Sequence, residues 1–211
     1  MSKNTIFKII TLGNAGVGKT SILKRYISGQ FEENLCSTIG IEFSIKEITL
    51  KNGKSIKLKL IDTCGQEIYK SISKSYFKNS DAVFFVFALN NKKSFIDIQD
   101  WINLFGENHN GKENVPKILV GNKSDIESKD IDQTLINKFA EEKNIKYIET
   151  SAKDNLNINK IFEDVAEILY DDYIKSGLGN KPQNTIKVDE NKMKKKPCCK
   201  KKPCCIGSSD L

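Results

Sequence analysis

Residues 13–20 have the types and the spacing of a phosphate-binding loop. They read Gly-Asn-Ala-Gly-Val-Gly-Lys-Thr and match the pattern G-x-x-x-x-G-K-[ST] in full. Glycines in this pattern let backbone N–H groups turn inward around phosphate oxygens, Lys19 reaches the β- and γ-phosphates, and Thr20 offers its hydroxyl to Mg²⁺. A glycine turn with a chance lysine is the competing interpretation, and the strand before the motif and the helix after it argue against it. The predicted nucleotide contacts are Asn14, Ala15, Gly16, Val17, Gly18, Lys19, Thr20 and Ser21.

A second motif, Asn122-Lys123-Ser124-Asp125, selects the base. Guanine presents N1–H and an exocyclic amine side by side, and the carboxylate of Asp125 can accept both hydrogen bonds. Adenine lacks this donor pair, and an unpaired, desolvated carboxylate costs about 1–3 kcal/mol or more. The pattern alone also fits a solvated loop, but its place directly after the buried strand ending at Gly121 favours guanine recognition.

Two further segments follow predicted strands. Ser151-Ala152-Lys153 comes after the strand at Ile145–Ile148, where a backbone N–H could donate to guanine O6; an ordinary strand-to-helix turn competes with this interpretation. Asp62 ends another strand, where its carboxylate could hold a Mg²⁺-bound water. After it, Gly65 lets its N–H approach a γ-phosphate, and Gln66 could orient the attacking water. The predicted catalytic residues are Gln66, Lys19 and Gly65.

Strands and helices must alternate to place these motifs at one edge of a sheet. The strand Thr5–Leu12 and a helix at residues 18–28 come first. Two alternating runs then flank Asn52-Gly53, the preferred type I′ pair, which predicts an antiparallel hairpin whose first strand is a sheet edge. The later predicted elements are the strands Ala82–Leu89, Lys117–Gly121 and Ile145–Ile148 and the helices Ser94–Phe105, Asp132–Lys143 and Asn157–Lys175.

This order predicts an α/β fold of the P-loop NTPase type. It is a three-layer sandwich around a sheet of about six strands, mostly parallel with one antiparallel edge strand. Ligands in such sheets bind beyond the carboxyl ends of the strands, where the motifs fall.

Charge and cysteine divide the chain at about residue 176. Residues 176–211 contain nine lysines and three acidic residues, which is +6 of the total formal charge of +7. They also contain four of the six cysteines, together with prolines and glycines and almost no recurring apolar residues. We therefore predict a domain at residues 1–175 and a disordered polybasic tail at residues 176–211. The body is almost neutral, so no nucleic-acid partner is expected.

Residues 5–175 resemble the Ras-like small GTPases, because GNAGVGKT, DTCGQE, NKSD and SAK occur in that family's order. Within the superfamily the chain is most similar to the Rab branch, on the segments Ser37–Phe43 and Tyr76–Asn79. The resemblance implies that Thr38 ligates Mg²⁺ and contacts the γ-phosphate, that Phe31 covers the guanine ring, and that Lys123 lines its other side. It also implies an effector-binding surface, comprising Ile39, Gly40, Ile41, Phe43, Ile61 and Tyr76. Ile61 stands where Rab proteins usually carry tryptophan, and Cys64 where they carry alanine.

The tail sequence KKKPCCKKKPCC combines a basic cluster with candidate lipidation sites, Cys198, Cys199, Cys204 and Cys205. Lysines near an anionic leaflet contribute about 1 kcal/mol each, and a basic stretch together with a lipid chain supplies the two signals that stable anchoring needs. Palmitoylation and prenylation are both open, as is an unmodified basic tail that is solvated or binds RNA loosely. The chain has no apolar run near the ~18 residues of a membrane span, so we expect a cytoplasmic protein that associates reversibly with the cytosolic face of membranes.

The motifs predict a GTP-binding, GTP-hydrolysing switch, and the resemblance to the Rab branch implies that it regulates vesicle traffic. The expected cofactors are Mg²⁺ and GTP/GDP, and the partners that the resemblance implies are effectors, an exchange factor and a GTPase-activating protein. Hydrolysis is expected to be slow unaided, because the switch segments contain no evident internal arginine finger. The alternatives are a P-loop kinase or ATPase, a GTP-binding module with little hydrolysis, which Ala15 and Cys64 leave open, and a signalling GTPase outside the Rab branch.

Overall fold

The computed structural model describes residues 5–33, 38, 40–63, 76–111 and 114–177. Within these ranges six strands form one sheet. They are β1 (Ile6–Leu12), β2 (Ile41–Thr49), β3 (Ser55–Thr63), β4 (Ala82–Ala88), β5 (Lys117–Asn122) and β6 (Lys146–Glu149). Their order across the sheet is β2-β3-β1-β4-β5-β6. All neighbours pair in parallel except β2 and β3, so the predicted mostly parallel sheet with one antiparallel edge strand is confirmed.

Five described helices connect and cover the strands. They are α1 (Lys19–Ser28), α2 (Lys92–Ile96), α3 (Ile98–Asn108), α4 (Gln133–Glu142) and α5 (Ile158–Lys175). Sequence periodicity predicts α2 and α3 as one helix, and this is wrong at Asp97, which ends one helix and begins the other. The carboxylate of Asp97 accepts a hydrogen bond from Asn14, a tertiary contact that local periodicity does not encode. None of the described helices is long and apolar enough to cross a membrane.

Apolar side chains fill both sides of the sheet, which makes the three layers. On one face α1 and α5 pack against the strands, and Tyr26 stacks on Phe162 with ring centroids 3.8 Å apart. On the other face α3 and α4 do the same, through Trp101 and Ile136 among others. All seven residues of β4 are buried, as its continuous apolar sequence predicts for a central parallel strand. Full burial of each large apolar side chain contributes roughly 1.5–3 kcal/mol, so this central strand anchors the fold.

The β2–β3 hairpin is antiparallel and β2 lies at the sheet edge, as predicted, but its turn differs from the predicted type I′. Gly53 has a positive φ of 77°, whereas Asn52 is not among the described residues with positive φ. The N–H of Gly53 donates to the carbonyl of Leu50, and the N–H of Leu50 donates to the carbonyl of Lys54. This is a three-residue connection with left-handed glycine at its end, in which only one residue must leave the usual backbone region.

Candidate nucleotide-binding site

The loop between β1 and α1 has a backbone that only glycine can supply at two positions. Gly13 and Gly18 have φ values of 148° and 94°. A Cβ at Gly13 would lie 2.0 Å from the carbonyl oxygen of Val86, and one at Gly18 would lie 2.2 Å from Nδ2 of Asn122. Gly18 caps α1 without any side-chain hydrogen bond, so the first N–H groups of this helix remain donors for an anion. The predicted phosphate cradle therefore has the geometry that its sequence requires.

Lys19 lies beneath this loop and is 5% exposed. Its ammonium donates hydrogen bonds to the carbonyl oxygens of Gly13 (2.9 Å) and Asn14 (2.8 Å). The loop thus holds a buried positive charge on the side where the sequence predicts the β- and γ-phosphates. Because charge-assisted hydrogen bonds are roughly twice as strong as neutral ones, these two bonds hold the Lys19 ammonium firmly against the loop.

Three oxygen-bearing side chains from distant parts of the chain meet beside the cradle. The hydroxyl of Thr20 donates to Oδ2 of Asp62 at 2.6 Å and lies 2.9 Å from the hydroxyl of Thr38. These are the three residues assigned to Mg²⁺ in the sequence, by the loop motif, by a strand end and by the family resemblance. They come from α1, from β3 and from the segment before β2, so only the fold brings them together.

Asp62 has the electrostatic character of a cation ligand. It is 5% exposed, and among the described residues its Oδ1 has no hydrogen-bond partner. Burial raises the pKa of this carboxyl, although the Thr20 hydroxyl and the Lys19 ammonium oppose the rise. A buried carboxylate oxygen without a donor is costly unless it meets a cation, and hard oxygen donors are the ligands that Mg²⁺ prefers. The residues present therefore fit a bound Mg²⁺.

Asn122 ties the phosphate loop to the loops on the base side of the site. It is 2% exposed, and its Nδ2 donates to the carbonyl of Val17 at 2.8 Å. Its Oδ1 accepts from the hydroxyl of Thr150 (3.3 Å) and from the N–H of Ala152 (3.4 Å). One buried amide thus fixes the spacing between the loops that follow β1, β5 and β6.

The carboxylate of Asp125 is oriented by the loop after β6. Its Oδ1 accepts a hydrogen bond from the hydroxyl of Ser151 at 2.7 Å. Lys123 adopts a positive φ of 67°, which turns the chain sharply between Asn122 and Asp125. Asp125 is half-buried at the carboxyl end of β5. The proposed guanine-reading carboxylate is therefore held by a second predicted segment, and the two motifs form one subsite.

Arg25 is part of this subsite, although sequence reasoning did not select it. Its guanidinium donates to the carbonyls of Ala152 (2.7 Å) and Lys153 (2.5 Å) and lies 5.7 Å from the ring centre of Phe31. A basic residue in the last turn of a helix is ordinarily explained by the helix dipole, so the sequence holds no signal for this role. Arg25 connects α1, the loop after β6 and the aromatic ring implied to cover guanine.

Some predicted residues lie outside the described residues, and others lie on the protein surface. Gly65, Gln66, Ile39 and the four tail cysteines are outside the described residues. Gly40, Ile41, Phe43 and Tyr76 are partly or largely accessible; Phe43 is 57% exposed, with the Lys59 ammonium 4.9 Å from its ring centre.

The assignment of Ile61 to the effector surface is wrong in this structure. Ile61 is 1% exposed, because β3 is an inner strand and Ile61 lies beside Ile10 of β1 in the buried cluster.

A glycine-lined phosphate loop, a buried lysine beneath it and a carboxylate at the end of β5 define the class of a P-loop GTPase. Comparison with known proteins gives the family. A Ras family model matches residues 8–171. The chain is 32% identical over 203 residues to Ras-related protein SEC4 of Saccharomyces cerevisiae, covering 94% of this chain and 93% of that protein. It is 35% identical over 191 residues to Ras-related protein Rab-13 of Rattus norvegicus, covering 89% and 93% of the two chains. It is 33% identical over 195 residues to Ras-related protein Rab-30 of Homo sapiens, covering 92% and 95%.

The chain therefore belongs to the Ras family, in its Rab branch. It is a GTP-binding switch of vesicle traffic and a GTPase. The predicted family, fold class, activity and trafficking role are confirmed. A kinase, an ATPase and a signalling GTPase outside the Rab branch are correspondingly disfavoured.

Proposed function

We propose that this site binds Mg²⁺-GTP and hydrolyses it, and that each of its residues has a distinct role. The observation that carries the proposal is the meeting of Thr20, Thr38 and Asp62 beside the buried Lys19. The two hydroxyls would ligate Mg²⁺, and Asp62 would hold a water bound to it. The ion, when bound, supplies positive charge to the β- and γ-phosphates. Lys19 and the N–H groups at the start of α1 bind the same phosphates from the other side.

Hydrolysis follows from this placement and from two residues outside the described ranges. Gln66 would orient a water in line with the bond between the β- and γ-phosphates, and the N–H of Gly65 would bind the γ-phosphate. Lys19 stabilises the negative charge that develops as the bond breaks. A partner's arginine could raise the rate of GTP hydrolysis by about 10³–10⁵-fold. Without that arginine the free protein would be a slow enzyme.

The test is a single-turnover measurement of phosphate release from bound GTP, in wild type and in Gln66→Leu. We expect slow release from wild type that falls at least tenfold further in Gln66→Leu. Equal rates in both proteins would remove Gln66 from the mechanism. A matched control is Gln99→Leu, which makes the same change on the surface of α3 and should leave the rate unchanged.

The finer statements about partners and location form the second part of the proposal. Residues 1–175 would carry the switch, with effectors, an exchange factor and a GTPase-activating protein binding near Gly40, Ile41, Phe43 and Tyr76. Residues 176–211 would bind the cytosolic face of anionic membranes through their lysines and through lipid on one or more of the four tail cysteines. The support is compositional: nine lysines and four cysteines lie in this segment.

Cell fractionation tests the membrane proposal. The full chain should sediment with membranes, and a variant with Cys198, Cys199, Cys204 and Cys205 changed to serine should become largely soluble. Changing Ser208 and Ser209 to alanine is the matched control, because it alters the tail and keeps every cysteine. Equal membrane association of the cysteine variant and wild type would refute lipidation.

A further inference from the structure

Asn14, the second residue of the phosphate loop, is held from outside the loop by two side chains at the start of α3. Its Nδ2 donates to Oδ2 of Asp97 at 2.6 Å, and its Oδ1 accepts from Nε1 of Trp101 at 2.8 Å. Trp101 is 2% exposed, and Asn14 and Asp97 are half-buried. Both ends of the Asn14 amide therefore have a directional partner on a helix more than 80 residues away in sequence.

The main chain of Asn14 connects this contact to the phosphate end of the loop. Its carbonyl oxygen accepts a hydrogen bond from the ammonium of Lys19 at 2.8 Å. Asn14, whose side chain is held by α3, thus also helps to position the buried lysine through its carbonyl, as Gly13 does. A displacement of Asn14 would move an acceptor of Lys19 as well as the loop itself.

We propose that Asp97 and Trp101 are positioning residues for the nucleotide: by fixing the Asn14 amide, they hold the phosphate loop in its binding geometry and slow nucleotide release. This inference rests on the phosphate site proposed at residues 13–20. Both residues act through Asn14, which they contact directly.

The chemistry of the three groups explains why an amide stands at position 14. Asp97 offers an acceptor and Trp101 offers a donor, and an amide complements both at once. A carboxylate at this position would still accept from Trp101 but would place a like charge against Asp97. An apolar side chain would leave the partly buried Asp97 and the buried indole N–H without this partner.

Exchanging the amide and the carboxylate tests the proposal. Asn14→Asp should accelerate the release of a fluorescent GDP analogue about tenfold, a typical coupling for groups in direct contact. In the double variant Asn14→Asp with Asp97→Asn, the two groups change places and both hydrogen bonds can form again, so release should return to within about threefold of wild type. Asp97→Asn alone keeps a neutral hydrogen bond and should change release by less than about threefold. Asp100→Asn makes the same change at an exposed position of α3 and is the control.

Trp101 provides a second readout, because it is the only tryptophan of the chain. Its emission maximum should shift in Asn14→Asp and return in the double variant, which shows whether the contact is lost and restored. A purely structural role would move emission and melting temperature in this pattern but would leave the rate of GDP release unchanged. If Asn14→Asp does not fold, Trp101→Phe removes only the indole donor and should accelerate release about threefold.

The outcomes separate two failures. Wild-type protein that binds no GDP would refute the nucleotide site and with it this proposal. GDP binding with release rates that are the same in wild type, Asn14→Asp and Trp101→Phe would refute only the positioning role. Faster release in Asn14→Asp that the double variant does not restore would also refute it.

Discussion

The two halves of the nucleotide site are built by different means. The phosphate half uses backbone, with glycines at positions 13 and 18, where a Cβ on any other residue would collide with neighbours, and one buried lysine beneath the loop. The base half uses side chains, with Asn122, Ser151 and Arg25 each donating to another loop. Backbone recognition of phosphate tolerates little change, whereas side-chain recognition of a base can be altered one group at a time. Substitutions in the two halves should therefore have different effects.

The largest effect should come from Lys19→Ala in the phosphate half. Truncating one partner of a buried, hydrogen-bonded charge pair costs about 2–5 kcal/mol, so GTP affinity should fall by about 30-fold to several thousandfold. Equilibrium binding of GTP and GDP measures the loss, and both should weaken because Lys19 is predicted to contact the β-phosphate too. Lys24→Ala, at an exposed salt bridge with Glu32, should leave affinity unchanged. An affinity within threefold of wild type for Lys19→Ala would mean that the phosphates bind elsewhere.

Asp125→Asn should change base selectivity rather than phosphate binding. The amide cannot accept both N–H donors of guanine, so GTP should lose roughly 5–150-fold in affinity, the equivalent of about 1–3 kcal/mol. Xanthine offers an acceptor in place of the exocyclic amine, so xanthosine triphosphate should gain relative to GTP. Competition between GTP, ATP and xanthosine triphosphate measures the change. Retained preference for GTP over xanthosine triphosphate would remove Asp125 from base recognition.

Asp62→Asn, in the phosphate half, should change the melting temperature in opposite directions without ligand and with Mg²⁺ and GTP. Because burial raises the pKa of Asp62, folding favours its protonated form, and the ionised form destabilises the protein above that pKa. In chelator at pH 7 the variant should therefore melt a few degrees higher than wild type, since about 1 kcal/mol corresponds to roughly 2–4 °C in a protein of this size.

Two comparisons check the cause of that change. The difference in melting temperature should shrink as the pH falls through the raised pKa, where wild-type Asp62 becomes protonated. With Mg²⁺ and GTP present, wild type should instead have the higher melting temperature, because the variant lacks the negative charge that would face the cation. If the variant is less stable than wild type in chelator, then protein groups alone stabilise the buried Asp62 carboxylate and no metal is needed.

Arg25→Ala should give the smallest of these effects, in the base half. The guanidinium binds two carbonyls of the loop after β6, and each lost hydrogen bond from a partly exposed cation contributes on the order of 1 kcal/mol. We expect GDP release to accelerate by about three- to tenfold, with little change in the preference for guanine. Stopped-flow release of a fluorescent GDP analogue measures this, and Arg25→Lys, which keeps the charge but not the forked geometry, should recover only part of it.

Most of the fold could be predicted from local sequence, and the exceptions have tertiary causes. Continuous apolar runs identified β4 and β5, because strands buried on both faces need no polar alternation. The break between α2 and α3 could not be found, because Asp97 is engaged by a residue 83 positions earlier. The surface assignment of Ile61 failed because register, and not residue type, places it opposite Ile10 in the core.

The sequence by itself determined the chemistry of this protein. Glycines, a lysine and a carboxylate at fixed spacing predict phosphate and guanine recognition, because the backbone conformation and the hydrogen-bonding groups belong to those residue types. The tertiary structure decided which of these groups meet. Thr20, Thr38 and Asp62 form one cluster, Arg25 clamps the loop after β6, and Asn14 is held by α3, all through contacts between distant elements that no local pattern records.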